Sequence, residues 1–136
     1  MSGTYTSEAK ILDLAFGSTA WTPPAQYFVG LSTTAPSEAG TGSTEPTTGA
    51  YARVAITNNK TTFGTAANGA LTNAIAITFP ESTASWGTIT HICFFDQATG
   101  GSLYYWEQLP TSKAVAANTT VYFSIGSLTI SNLNAG

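Results

Sequence analysis

Hydrophobic residues along the chain recur mainly at every second position, in short runs that are separated by turn residues. The runs QYFVGLS (26–32), YARVAIT (51–57) and LTNAIAITFP (71–80) are rich in the aromatic and β-branched residues that strands favour. GTITHICFFD and SLYYWEQL flank QATGG and predict a β-hairpin. KAVA and TTVYFSIGSLTIS follow, the second as one strand or as two strands with a bend at Gly126. This spacing predicts the all-β class, with about seven or eight strands in an antiparallel β-sandwich or a jelly-roll-like barrel.

A helical period occurs near the N-terminus. Ser7 and Glu8 precede apolar residues at helical spacing, and Gly17 can end a helix after them. Those apolar residues are Ile11, Leu12, Ala15 and Phe16. We therefore expect one short helix over about residues 6–16, within a single β-sandwich domain over residues 1–136.

Residues 33–49 form a long polar segment with two prolines and several glycines. A loop of this length is usually functional or is ordered by a partner. Arg53 lies on the Tyr51 face of the next predicted strand, and few other cations are available to the loop acids. We therefore expect Arg53 to bind Glu45 or Glu38 and to hold the loop against the sandwich.

The single histidine and the single cysteine lie two residues apart, at His91 and Cys93. Strand alternation places them on one face, in a group formed by Ile89, His91, Cys93 and Phe95, and places Ile92 and Phe94 on the other face. Zinc needs four ligands, and the chain has no other Cys or His to supply them. Side chains two residues apart on a strand are roughly 6–7 Å apart, too far for a nucleophile–base hydrogen bond. We therefore predict a core cysteine and a half-buried histidine that makes one hydrogen bond, with no metal and no cofactor.

The acidic residues show no catalytic arrangement. Seven carboxylates are spread along the chain: Glu8, Asp13, Glu38, Glu45, Glu81, Asp96 and Glu107. Asp96 precedes a turn and is better explained by bonding its own backbone. The sequence also lacks a G-x-S-x-G nucleophile elbow, an H-E-x-x-H zinc motif and a phosphate loop in its proper setting. These observations predict a protein that is not an enzyme and has no catalytic residues.

Charge is scarce in this chain. Four Lys and Arg against seven Asp and Glu give a net charge of -3, and so few cations cannot form the basic patch of a nucleic-acid binder. No apolar run reaches the roughly 20 residues of a spanning helix, and the N-terminus lacks the pattern of a signal peptide. Charged residues make up 8% of the chain, whereas roughly 25% is usual, which favours stable assembly.

Three consecutive aromatic residues, Tyr104, Tyr105 and Trp106, are the candidate interface. Alternation places Tyr104 and Trp106 on one face and Tyr105 on the other. Such residues serve as core filling, as subunit contacts or as a sugar-binding surface, and composition alone leaves all three open.

Four stretches, in this order, carry a resemblance to a known family: ILDLAFGSTAWTPPAQYFVGLSTTAP, TEPTTGAYARVAI, AITFPESTASWGTITHICFFDQATGG and VYFSIGSLTIS. With them the chain resembles small tailed-bacteriophage virion proteins, usually labelled tail-fibre proteins, some of which are β-sandwich proteins that decorate capsids. The resemblance implies a non-enzymatic structural protein of the virion, made in the cytoplasm of the bacterial host. It supplies no catalytic residue.

The resemblance also bears on partners. No heptad or collagen-like repeat is present to form a shaft, so we favour a surface decoration or head-fibre protein on the capsid. The alternatives are a tail-fibre or receptor-binding module and a carbohydrate-binding module. By resemblance we expect a homotrimer. We also expect it to bind another virion protein, capsid or tail, through residues 1–25, and a host surface glycan is a further candidate partner.

Overall fold

The computed structural model describes residues 1–131 and contains one helix and nine strands in that range. In chain order the elements are β1 (Ser2–Gly3), α1 (Tyr5–Gly17), β2 (Gln26–Ser32), β3 (Val54–Thr57), β4 (Ala70–Thr72), β5 (Ile77–Thr78), β6 (Gly87–Phe95), β7 (Leu103–Val115), β8 (Tyr122–Phe123) and β9 (Thr129–Ser131). A five-stranded sheet has the order β1-β7-β6-β2-β3, and two small sheets pair β4 with β9 and β5 with β8.

Every strand pairing within this range is antiparallel, and the small sheets pack on one face of the large one. The prediction of an all-β, sandwich-like fold with one short N-terminal helix is therefore confirmed. The predicted hairpin is also confirmed, as β6 and β7.

Three predicted strands differ from the observed ones. The KAVA segment is the end of β7 and not a separate strand. The strand expected over 71–80 is divided into β4 and β5, because Asn73 leaves the ladder and bonds other backbone groups. The strand expected over 51–57 begins only at Val54, and beyond it the Tyr51 hydroxyl, not a backbone carbonyl, accepts the Leu31 N–H.

The main core cluster lies between the large sheet and the two small sheets. It contains Val29, Leu31, Ile56, Phe63, Ile77, Phe79, Trp86, Ile89, Ile92, Phe94, Val115 and Leu128. A second cluster, on the other face of the large sheet, contains Cys93, Phe95 and Leu103, with Phe28 and Trp106 packed against it. Both faces of β6 are therefore buried.

The prediction that Ile89 shares a face with Cys93 is wrong. The pairing of β6 with β7 shifts register between Ile89 and His91. Ile89 belongs to the main core cluster with Ile92, whereas Cys93 belongs to the second cluster. Across this shift β7 advances from Gln108 to Lys113 while β6 moves only from His91 to Ile89, and period-2 reasoning does not include such an irregularity.

The helix α1 is fixed to the sheet by its first turn. Thr4 Oγ1 donates to the Leu103 carbonyl at 2.6 Å, and Ser7 Oγ donates to the Tyr104 carbonyl at 2.8 Å. The helix ends where Ser18 adopts a left-handed conformation (φ 50°). Residues 12–20 are all exposed, so the second half of α1 extends beyond the sheet.

Asn73 connects the two small sheets from a buried position, with 1% of its surface exposed. Its Nδ2 donates to the carbonyls of Ile75 and Ser124 at 2.8 and 2.9 Å. Its Oδ1 accepts the Leu128 N–H at 3.0 Å.

We expect Asn73→Ala to lower the free energy of unfolding by about 3 kcal/mol, because it leaves buried backbone groups without partners. The exposed neighbour provides the control, and Thr72→Ala is expected to cost less than about 1 kcal/mol. Urea denaturation measures both changes. Equal effects of the two variants would contradict the role assigned to the Asn73 amide.

Candidate assembly site

The predicted partner residues Arg53 and Glu45 meet in the structure. Arg53 Nε donates to Glu45 Oε1 at 2.9 Å, and Arg53 Nη2 donates to Glu45 Oε2 at 2.8 Å. The Arg53 side chain is 6% exposed and that of Glu45 is 22% exposed. Two parallel bonds between a guanidinium and a carboxylate are stronger and more directional than a single exposed ion pair.

Arg53 also binds the hairpin loop between β6 and β7. Its Nη1 donates to the carbonyls of Gln97 and Gly100 at 2.7 and 2.8 Å. The guanidinium carbon lies 3.5 Å from the centre of the Phe95 ring, within cation–π range. One side chain therefore joins the 33–49 loop, the hairpin loop and the second cluster.

Tyr51 adds a second connection between Glu45 and the sheet. Its hydroxyl donates to Glu45 Oε1 at 2.7 Å and accepts the Leu31 N–H at 2.9 Å. Burial, and then the hydrogen bond to Glu45, raise the pKa of Tyr51 above its ordinary value. Gly30 leaves room for these groups, because a Cβ there would lie 2.5 Å from Glu45 Oε1 and 3.0 Å from the Tyr51 hydroxyl.

The rest of the 33–49 loop is bonded to the same chain. Ser32 Oγ accepts the Thr44 N–H at 2.8 Å, and the Thr33 N–H donates to the Thr44 carbonyl at 2.9 Å. The carbonyl of Glu38 accepts the Tyr5 N–H at 2.8 Å, which connects the loop to the start of α1. These bonds order the loop within its own chain.

His91 and Cys93 are packed side chains. His91 is 6% exposed and therefore more buried than the half-buried position predicted; its Nδ1 shares a 2.7 Å hydrogen bond with Thr90 Oγ1. Burial lowers the pKa of His91, so the neutral imidazole is favoured. Burial raises the pKa of the Cys93 thiol to about 12, which disfavours the reactive thiolate.

Residues 1–131 contain no group of three or more His, Cys, Asp and Glu that could hold a metal ion. Within that same range, no helix has the length and apolar character needed to cross a bilayer.

The three candidate interface residues do not form one surface. Tyr104 is 4% exposed and contacts the rings of Trp21 and Tyr27, with centroids 6.3 and 5.8 Å away. Trp106 instead packs on the second cluster and against the His91 ring. A register shift between Phe94 and Phe95, opposite Tyr104, breaks the alternation, so the expectation that Tyr104 and Trp106 share a face is wrong.

Tyr105 lines an open cavity of about 360 Å³. The cavity has an apolar floor and a rim that includes Asn58, Asn59 and Lys60. The floor residues are Tyr27, Phe63, Leu71, Phe94, Tyr105 and Ile130. Of the three candidate aromatics, Tyr105 thus lies at a concave surface.

Sequence reasoning did not identify the most exposed apolar residues as a surface. On α1, Leu12, Leu14 and Phe16 are 56%, 49% and 87% exposed, and at the other end of the described chain Tyr122 and Ile125 are 66% and 68% exposed. The helical period was visible in the sequence. Which side of the helix faces the sheet depends on Ser7 and on chain-distant carbonyls of β7.

We expect Arg53→Ala to lower the free energy of unfolding by about 3–5 kcal/mol, because Glu45 is left partly buried without its cation. Digestion within residues 33–49 should also become faster. Chemical denaturation and limited proteolysis measure the two effects. Lys113→Ala removes an exposed cation and should change stability by less than about 0.5 kcal/mol. If Arg53→Ala resembles Lys113→Ala in both assays, the guanidinium does not hold the loop.

Comparison with known proteins bears on the resemblance to tailed-phage virion proteins. No curated protein matches the chain. A family model described as podophage GP4 fiber I protein gp80 matches residues 2–131. The match spans most of the 136 residues and confirms the resemblance, and it places the protein in the virion as a structural fibre protein. The chain belongs to the family of podophage GP4 fiber I protein gp80.

Proposed function

We propose that the protein is a non-enzymatic decoration or head-fibre protein on the surface of the capsid. The observation that carries the proposal is a contrast between two parts of the chain. One is the β-body, which consists of the three sheets and the loops bonded to them, and the other is the exposed second half of α1. The long loop is fixed to the sheets through Arg53 and Glu45, whereas residues 12–20, the second half of α1 and the three residues after it, are exposed. A rigid β-body that is attached to the particle through α1 suits a passive structural role.

The absence of a shaft in the described range supports the capsid over the tail. Within residues 1–131 the longest helix has 13 residues, and the strands form one body around shared clusters. A fibre that extends far from the particle needs a coiled-coil or repetitive shaft. The second candidate is a tail-fibre or receptor-binding module, because the family description names a fiber protein.

The burial of Cys93 and His91 supports a non-enzymatic role. Burial raises the pKa of the Cys93 thiol to about 12, and the His91 imidazole is enclosed beside Trp106. Neither group is open to a substrate.

Copies of the chain assemble as a homotrimer in this proposal. Exposed Tyr122 and Ile125 and the partly exposed Tyr105 and Trp106 offer apolar area for subunit contacts. The low charge content leaves little repulsion between copies. Residues 1–25 attach the assembly to another virion protein, and the opposite loops face outward.

A third candidate is a carbohydrate-binding module. The cavity beside Tyr105 combines aromatic rings with amide side chains at its rim, a combination that sugar sites use. A host surface glycan is the ligand of this candidate.

We expect electron microscopy of particles to show density for the protein on the capsid shell, and particles that lack its gene to lose that density. Light scattering should give a mass of about 42 kDa, three copies of the 14.1 kDa chain. Density at the tail would favour the second candidate, and a monomer in solution would refute the trimer. Saturable binding on a glycan array, abolished by Tyr105→Ala, would favour the third.

A further inference from the structure

The solvent side of α1 carries an apolar stripe formed by Tyr5, Ala9, Leu12 and Phe16. Their spacing of four, three and four residues places them within a sector of roughly 60° around the helix axis. Ala9 is exposed, and Tyr5, Leu12 and Phe16 are 60%, 56% and 87% exposed. None of the four belongs to a hydrophobic cluster of residues 1–131.

The opposite side of the helix makes the contacts with the body. Ser7 is buried and donates to the Tyr104 carbonyl, and Lys10 lies 5.9 Å from the centre of the Trp21 ring. Leu14 also lies on this side and stays half exposed because the second half of α1 extends beyond the sheet. The stripe is therefore not a core-facing side that was left uncovered by chance.

The spacing of the stripe suits another helix. Alternating steps of three and four residues allow side chains to insert between those of a facing helix, as in a coiled coil. A helix this short is marginal on its own, but the bonds of Thr4 and Ser7 to β7 hold α1 in place before any partner binds. The stripe can therefore dock at a lower entropy cost than a helix that folds only on binding.

Charge around the stripe is negative. Glu8 and Asp13 lie on its two sides, at the positions that flank the apolar contact in paired helices. At its N-terminal end the Tyr5 hydroxyl bonds Glu38, and the pKa of Tyr5 is raised by that bond and by the charge of Glu38. In a pair of identical stripes acid faces acid, whether the helices run parallel or antiparallel.

We propose that this stripe binds a helix of another virion protein, one whose apolar seam is flanked by Lys or Arg. The inference rests on the proposed function, in which residues 1–25 attach the protein to the particle, and it adds the chemistry of the partner. A second copy of this chain is disfavoured by its own acids. In the proposed trimer, the contacts between copies use residues of the β-body and not this stripe.

The test is binding of purified protein to phage particles that lack it. We expect the double variant Leu12→Ala/Phe16→Ala to raise the dissociation constant at least about tenfold, because two central apolar side chains are lost. Leu14→Ala removes a similarly exposed leucine from the opposite side and should change binding less than about threefold. Circular dichroism and thermal unfolding of both variants should match the unaltered protein, since the residues are exposed.

A separate variant tests the role of the acidic residues beside the stripe. Asp13→Lys should weaken binding, and raising the salt concentration should weaken the unaltered protein more than the Asp13→Lys protein. A photo-crosslinking residue at position 16 should attach, on assembled particles, to a helix of a different protein with Lys or Arg beside the attachment point.

The possible results separate the two proposals. If the unaltered protein fails to bind these particles, the proposed function fails and this inference fails with it. If it binds and the double variant binds equally well, the function stands and the stripe is not the docking surface. Cross-links to a second copy of this chain, or loss of self-association in the double variant, would assign the stripe to homotypic contact and overturn the inference. Binding of the unaltered protein, but not of the double variant, to phosphatidylcholine vesicles would assign it to lipid and also overturn it.

Discussion

Burial of both faces of β6 is the constraint on which the rest of the structure depends. Ile92 and Phe94 face the main core cluster, and Cys93 and Phe95 face the second cluster. A strand with two apolar faces needs cover on both sides. The small sheets cover one side, and the 33–49 loop, which reaches the sheet at Gly30 and Leu103, covers part of the other.

A polar loop is an unusual cover for an apolar face. The contacts that Arg53 makes explain how the 33–49 loop can cover one. Glu45 approaches the backbone at Gly30, where no Cβ blocks it, and its charge is met by Arg53 and Tyr51. Arg53 in turn stacks on Phe95, so the ion pair and the apolar cluster support each other. The loop is thus bonded within its own chain, although its length and composition are typical of a segment that a partner orders.

The sequence was sufficient for features that depend on local pattern. Turn residues between two apolar runs predicted the β6–β7 hairpin, the helical period predicted α1, and the scarcity of cations predicted the pairing of Arg53 with a loop acid. The alternation of side chains gave wrong predictions where the pairing of β6 with β7 is irregular. The shifts at Ile89/His91 and Phe94/Phe95 moved Ile89 and Tyr104 to faces that strict alternation does not give. The shift at Ile89/His91 has Pro110 among the residues of β7 that it leaves unpaired, a signal that period-2 reasoning did not use, whereas the shift at Phe94/Phe95 has neither Gly nor Pro at Tyr104. Both shifts depend on how distant strands meet. For the same reason the exposed side of α1 could not be read from its apolar residues alone.

The β-sheets bond their own long loop, whereas α1 is held to the sheet only at its first turn. Membership of the gp80 family places the protein in the virion as a structural fibre protein. Amide hydrogen exchange of the isolated protein tests the central claim, that the 33–49 loop belongs to the folded body. We expect the amides of Thr33 and Thr44 to exchange at least about 100-fold more slowly than in an unstructured peptide, because both are hydrogen-bonded within the chain. Exchange of these two amides at the unstructured rate, while the amides of β6 stay protected, would contradict it.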